Sequence, residues 1–199
     1  KTLVAAVGVE KVYAGGPAPG PGGSKVAALR GVDLAVARGE FTALAGPSGS
    51  GKSTLLNLIG VLDRPTKGTV SYEGRVVSGL DADAQADFRL RALGFVFQAY
   101  NLIPVLTAAE NVEYPLVLRG MEEGSRRKLA LEALRWVSLE GYQNRRPDML
   151  SGGQQQRVAV ARAIVHSPSL VLADEPTANL DSKTGAQLLD LMESLNLEH

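Results

Sequence analysis

The chain has 199 residues, 45% of them hydrophobic, and its 21 basic side chains balance 21 acidic ones. That length is most simply one domain with a substantial core, and a net charge of zero lends no support to a polyanion-binding surface. With no cysteine there is no disulfide, thiolate metal site or cysteine nucleophile.

No apolar run approaches the roughly 20 residues that a membrane-spanning helix needs. No basic region followed by a signal-peptide core opens the chain. It begins at Lys1 rather than methionine, which reads as a trimmed natural N-terminus. Work at a membrane would therefore run through a partner.

From the N-terminus, Thr2 to Tyr13 alternates loosely and is rich in valine, which suggests an edge strand. Tyr13 closes it. A ring there either stacks on a nucleotide base or packs on the core, and position alone favours packing. Residues 14–24 are dominated by Gly and Pro and read as a loop, after which Val26 to Val36 resumes a strand pattern. Arg38-Gly39-Glu40 turns into Phe41-Thr42-Ala43-Leu44-Ala45, a short apolar run expected to be a buried strand.

The nine residues that follow, Gly46-Pro47-Ser48-Gly49-Ser50-Gly51-Lys52-Ser53-Thr54, have the G-x-x-x-x-G-K-[ST] form. Leu55, Leu56, Leu58, Ile59, Val61 and Leu62 then supply an apolar helix that should stop before Pro65. Strand, glycine-rich turn and helix start together make an anion site, because backbone N–H groups point into a concavity and the helix dipole favours negative charge. Gly49 and Gly51 let the backbone bend around phosphate without a clashing Cβ. Lys52 would reach the β- and γ-phosphates and the Ser53 hydroxyl would ligate Mg²⁺. A bare glycine turn with a chance lysine would not reproduce the whole pattern in this context. The stretch predicts a nucleoside triphosphate site.

Further on, Thr69–Tyr72 and Arg75–Val77 flank Glu73-Gly74 as a β-hairpin, and Asp81 to Arg91 reads as a short polar helix. Gly94-Phe95-Val96-Phe97 reads as a central strand ending on Gln98. Open α/β sheets bind ligands at such strand tails, and a solvated strand end is the equal alternative. Tyr100 to Glu110 is a loop rich in apolar residues, and from there to about Tyr142 the spacing is helical. Arg126-Arg127-Lys128 reads as a solvated basic face.

Leu150-Ser151-Gly152-Gly153-Gln154-Gln155-Gln156-Arg157 leads into an Ala/Val-rich helix, with Ser151 as N-cap and Gln154 at the capping-box position. Physically this is either a second anion site or simply a capped helix. Leu170 to Ala173 is a strand ending in Asp174-Glu175-Pro176. Beside a triphosphate loop, Asp174 would hold Mg²⁺ through its water shell and Glu175 would act as general base or orient water. Leu188 to Leu195 closes the chain as an amphipathic helix.

In order and spacing these residues resemble the ATP-binding subunit of ABC transporters over essentially the whole chain. Gly46 to Thr54, including Ser48 and Ser50, matches the Walker A loop. Gln98 matches the Q-loop and Leu150 to Arg157 the family signature, while Leu170 to Glu175 matches Walker B with its catalytic glutamate. Ala178-Asn179-Leu180-Asp181 matches the D-loop. The signature discriminates most, since many NTPases share a phosphate loop. Leu62 to Pro65, Gly94 to Gln98 and Leu106 to Val112 are similar to the lipoprotein-release and macrolide-export branch, which includes the related cell-division ATPase.

The resemblance implies an α/β P-loop NTPase core with an N-terminal antiparallel β-subdomain and an inserted helical subdomain. Residues 1–98 and 166–199 would form the β-subdomain and core, and 99–165 the helical subdomain. It turns Tyr13 into the aromatic that stacks on adenine and makes Gln98 a sensor of Mg²⁺ and the attacking water. Ser151, Gly152, Gly153 and Gln154 would meet the γ-phosphate of ATP held by a second copy in a head-to-tail homodimer, with Asp181 nearby. The apolar loop after Gln98 would dock a transmembrane permease at the cytoplasmic face of the membrane.

The implied function is ATP hydrolysis powering lipoprotein release or macrolide or peptide export, with Glu175, Lys52 and Gln98 as catalytic residues. A mechanical transmitter of the cell-division kind is the alternative. A soluble ABC ATPase of DNA repair or translation is disfavoured by the lack of cysteine and heptads, so no nucleic-acid partner is expected. The family also carries a later strand ending in a switch histidine. Here the chain stops first, so neither His199 nor His166 is given that role. Either the natural chain continues or this one is truncated, and truncation would impair hydrolysis even where ATP binding survives.

Overall fold

The computed structural model describes residues 1–14 and 25–198, so residues 15–24 of the expected Gly/Pro loop and His199 lie outside the described residues, while Ala14 ends the first strand. The chain forms two compact units, residues 1–86 and 87–199.

The first unit is built on a four-stranded antiparallel sheet. Its strands are β1 (Thr2–Ala14), β2 (Lys25–Ala37), β3 (Lys67–Tyr72) and β4 (Arg75–Val76), in the order β2-β1-β3-β4. β1 is thus an interior strand, not the expected edge. Leu3, Val4, Ala6 and Val9 are all buried, and such a near-continuous apolar run suits a strand paired on both sides. The hairpin of β3 and β4 forms as expected, with Tyr72 opposite Arg75 and both Glu73 and Gly74 at positive φ, as a tight two-residue turn requires.

Helix α1 (Lys52–Ile59) buries Leu55, Leu58 and Ile59. The buried Tyr72 hydroxyl donates to the Ile59 carbonyl at 2.7 Å, tying β3 to the end of that helix. Burial pushes the Tyr72 phenol up, so it stays a donor at any ordinary pH.

Residues 41–45 are not a strand, and Phe41 is 49% exposed. An apolar run gives strand propensity but no partner. Alanine at two of the five positions adds little, and a short strand holds only through ladder bonds to neighbours.

Helix α2 (Ala82–Ala92) runs through the division between the units, as the polar pattern near Asp81 predicted. In the second unit β5 (Leu93–Phe97) and β6 (Leu170–Asp174) pair in parallel, from Leu93 opposite Leu170 to Phe97 opposite Asp174. Between them in sequence lie helices α3 (Ala108–Leu118), α4 (Glu123–Trp136) and α5 (Gly152–Ile164), and α6 (Ser182–Glu198) follows β6. The single helical stretch expected to Tyr142 is two helices broken at Arg119–Glu122, where Gly120 has φ 71°.

Val112, Leu116, Ala130, Leu134, Val158 and Ala161 form the middle of one buried cluster. The small side chains of α5 matter there. A Cβ on Gly94 of β5 would stand 2.2 Å from the Ala163 carbonyl oxygen, so only glycine allows helix and strand to lie this close. The basic run at 126–128 is not wholly solvated. Arg126 and Arg127 reach back to Glu113 at 3.3 and 2.9 Å, and Glu113 is buried. The run showed its charge in sequence but not its partner, which sits one helix earlier.

Candidate functional site

In the first unit the glycine-rich loop ends in α1. Gly51 is the N-cap at φ 93°, a left-handed conformation, and its position admits no side chain: a Cβ would stand 2.7 Å from the Ala28 carbonyl oxygen. Gly49 is also left-handed, at φ 78°. No side chain caps α1, and no acidic residue occupies its first turn. The helix start is therefore shaped for an external anion. Lys52 Nζ donates to the carbonyls of Gly46 and Pro47 at 2.8 and 3.0 Å, so the ammonium lies over the loop's own entrance. A Cβ on Gly46 would come within 3.0 Å of Ser50 Oγ. Loop, Lys52, Ser53 and Thr54 fit a triphosphate.

Tyr13 lies at the end of β1 in the same unit and is 38% exposed. Its hydroxyl donates to Asp63 Oδ2 at 3.1 Å, and Lys11 Nζ stands 4.9 Å from the ring centroid.

In the second unit Gln98 and Glu175 leave the same end of the parallel pair, because Phe97 and Asp174 are register partners. That is the carboxyl edge of the strands, where α/β sheets place their ligands. Glu175 has φ 47°, an uncommon backbone state for a non-glycine residue and one that recurs at functional positions. Asn179 Nδ2 donates to the Gln98 carbonyl at 2.9 Å. Gln156, fully buried, donates to the Pro176 carbonyl at 2.7 Å and, more weakly, to that of Phe97 at 3.5 Å. Its Oε1 has no hydrogen-bond partner among the described residues. These two amides hold the backbone carbonyls of Phe97, Gln98 and Pro176. Nothing in its local sequence gives Gln156 a role, and only its place in the motif points to one.

Ser151 caps α5 as predicted. Its Oγ accepts from the Gln154 N–H at 3.3 Å, and its own N–H donates to Gln154 Oε1 at 2.9 Å. What the hydroxyl keeps for a ligand is chiefly its proton. A Cβ on Gly152 would approach Tyr100 Oη to 2.9 Å, and one on Gly153 would approach Thr184 Cγ2 to 2.7 Å. Asp181 sits before α6 with Oδ1 accepting from the Lys183 and Thr184 N–H groups and Oδ2 from the Thr184 hydroxyl. The Thr184 hydroxyl, then its N–H, holds the Asp181 carboxyl below the usual range.

Asn111, also missed from sequence, is buried and makes four hydrogen bonds. Its Nδ2 donates to the carbonyls of Ile103, Leu106 and Thr107, and its Oδ1 accepts from the Ile103 N–H. It sets the shape of the loop after Gln98. His166 is mostly buried, with Nε2 at 3.1 Å from the Leu93 carbonyl, and burial lowers its pKa. No helix among the described residues is long and apolar enough to cross a membrane.

A family model described as "ABC transporter" matches residues 29–178. The chain belongs to that family, as an ATP-binding subunit with the ABC ATPase fold. More particularly it falls in the branch of lipoprotein-release and macrolide-export proteins. It is 51% identical over 190 residues to the lipoprotein-releasing system ATP-binding protein LolD of Anaeromyxobacter dehalogenans, covering 95% of this chain and 77% of that one. It is 46% identical to the macrolide export ATP-binding/permease protein MacB of Nitrosomonas europaea, covering 97% of this chain and 28% of that longer one. The ATP-binding cassette MJ0796 of Methanocaldococcus jannaschii, solved as a post-hydrolysis dimer bound to ADP and Pi, superposes with a TM-score of 0.86. It shares 47% identity over 98% of this chain and 84% of that one.

Proposed function

We propose that the chain hydrolyses ATP to drive an export-type membrane complex, of the lipoprotein-release or macrolide- or peptide-export kind, from the cytoplasmic face of the membrane. One observation carries the chemistry: Gln98 and the left-handed Glu175 leave the same carboxyl edge of β5 and β6. Within that reading, residues 1–98 and 166–199 make up the β-subdomain and nucleotide core, and 99–165 the helical subdomain.

The backbone N–H groups of Ser48 to Thr54 and the Lys52 ammonium bind the phosphates and neutralise charge that grows as the γ-phosphoryl leaves. Glu175 takes or orients the proton of the attacking water, and Gln98 directs that water. Ser53, Gln98 and Asp174 offer hard oxygen donors that would hold Mg²⁺, and the ion would supply positive charge against the phosphates. Two copies associate, as the dimeric MJ0796 cassette supports; head to tail, Ser151, Gly152, Gly153 and Gln154 of one would meet the nucleotide of the other, with Asp181 beside them. A transmembrane permease takes up the motion.

Glu175→Gln tests the assignment. Phosphate release should fall by at least about 100-fold, the scale of general base catalysis, while ATP affinity measured by calorimetry stays within a factor of two or so. Unchanged turnover would refute the role of Glu175.

A further inference from the structure

The Tyr13 ring does not stand alone. β1 carries Lys11 and Tyr13 two residues apart, so both reach to one side of the strand. Both side chains end on one carboxylate: Lys11 Nζ lies 2.6 Å from Asp63 Oδ1, and Tyr13 Oη donates to Asp63 Oδ2 at 3.1 Å. Lys11 also donates to the Arg64 carbonyl at 2.8 Å and is 12% exposed, so its stem is well held. The Arg64 N–H closes on Asp63 Oδ1 at 2.7 Å.

Burial pushes the Asp63 carboxyl up, but the Lys11, Arg64 and Tyr13 donors and the Lys11 charge outweigh it, holding it below the ordinary aspartate range. The ammonium then sits 4.9 Å from the Tyr13 centroid and occupies one face of the ring. Only the opposite face is left for a planar ligand.

Asp63 is in turn fixed to the helix that begins at the phosphate loop. The Leu62 and Asp63 N–H groups donate to the Asn57 carbonyl of α1 at 2.9 and 3.3 Å. β1 is stitched to the same segment twice more, by the Thr66 N–H on the Glu10 carbonyl at 2.7 Å and the Val12 N–H on Thr66 Oγ1 at 3.0 Å. One short element therefore has its N-terminus shaped for phosphate and its C-terminal extension gripping the aromatic ring.

We infer that Asp63 is a positioning residue for nucleobase recognition: with Lys11 it holds the Tyr13 ring at a fixed orientation relative to α1, so that one nucleotide engages loop and ring together. The inference rests on the reading of Tyr13 as the base-stacking residue. It makes Asp63 matter to the base and not to the phosphates. A ring free to swing would have to be ordered at each binding event, which costs affinity.

The probes are Mg·ATP and Mg·tripolyphosphate, which shares the phosphates but has no base, each titrated calorimetrically into the same protein. Asp63→Ala should weaken ATP about tenfold, on the scale of a lost base–aromatic stack, and leave tripolyphosphate unchanged. Asp63→Asn, which keeps an acceptor for the tyrosine hydroxyl but loses the charge on Lys11, should fall between. Tyr13→Ala should weaken ATP alone, and Asp63→Ala added to it should cost nothing more. Equal loss of both probes in Asp63→Ala would overturn the inference, because Asp63 would then support the loop in general. Loss in Tyr13→Ala with none in Asp63→Ala would refute the inference and leave the base-stacking reading standing. No effect of Tyr13→Ala on ATP would remove that reading and the inference with it.

Discussion

Helices α1 and α5 both begin at glycine-rich sequences, yet they begin in opposite ways. The start of α1 is bare: Gly51 is left-handed, contributes no cap, and excludes any side chain that would. The start of α5 is closed by its own residues, Ser151 in an extended conformation exchanging hydrogen bonds with Gln154. A bare N-terminus has donors that want a ligand, whereas a capped one is stable without it. The first suits a nucleotide held through most of a cycle. The second suits one met intermittently, as the proposed dimer requires of the signature helix.

The comparison can be broken most severely at Gly51. Gly51→Ala forces a Cβ against the Ala28 carbonyl and a left-handed state on alanine, which together should cost roughly 2–5 kcal/mol in urea unfolding and abolish ATP binding. A stable, ATP-binding Gly51→Ala protein would show that the loop does not need its bare cap. Ser151→Ala should do less and do it elsewhere. Losing the cap should cost about 1 kcal/mol, lowering Tm by about 2–4 °C, and phosphate release should fall while monomer ATP affinity holds.

The smallest effect contrasts α5 with α3, whose capping box uses an ionisable partner. Thr107 and Glu110 cap α3, and the Thr107 N–H, then its hydroxyl, holds the Glu110 carboxyl below its usual range. A carboxyl lowered in the fold contributes stability above the unfolded value of about 4.3, and that contribution disappears as pH falls through the lower folded value. The wild-type protein should therefore exceed Glu110→Gln by about 0.5 kcal/mol near neutrality and lose the excess in acid. Moving the dependence to α5 with Gln154→Glu would sharpen the contrast. A difference that grew on acidification would contradict it.

Much of this was legible in the residues, and what was not shares a cause. Gly46 to Thr54, Ser151 with Gln154, and Asp174-Glu175 at a strand end are local patterns, where a few neighbours dictate cap, turn and chemistry. The hairpin at Glu73-Gly74 and the helices α2 and α5 were readable for the same reason. The failures were matters of partnership. β1 is interior because β3 returns to it from more than 50 residues away, and residues 41–45 have propensity without a ladder. Arg126 and Arg127 point at a buried Glu113 on the preceding helix. Gln156, Asn111 and Asp63 are ordinary polar letters until the fold brings backbone carbonyls or an aromatic ring to them.

Asn111 illustrates how much can hang on one nitrogen. Its amide is the donor for three separate carbonyls of the loop after Gln98. Hydrolysis of that amide to a carboxylate changes the mass by about one dalton, yet replaces the common donor with an oxygen that repels all three carbonyls. Ageing chemistry at this single buried atom would unfasten the loop wholesale while leaving the phosphate loop, the signature and Asp174-Glu175 intact.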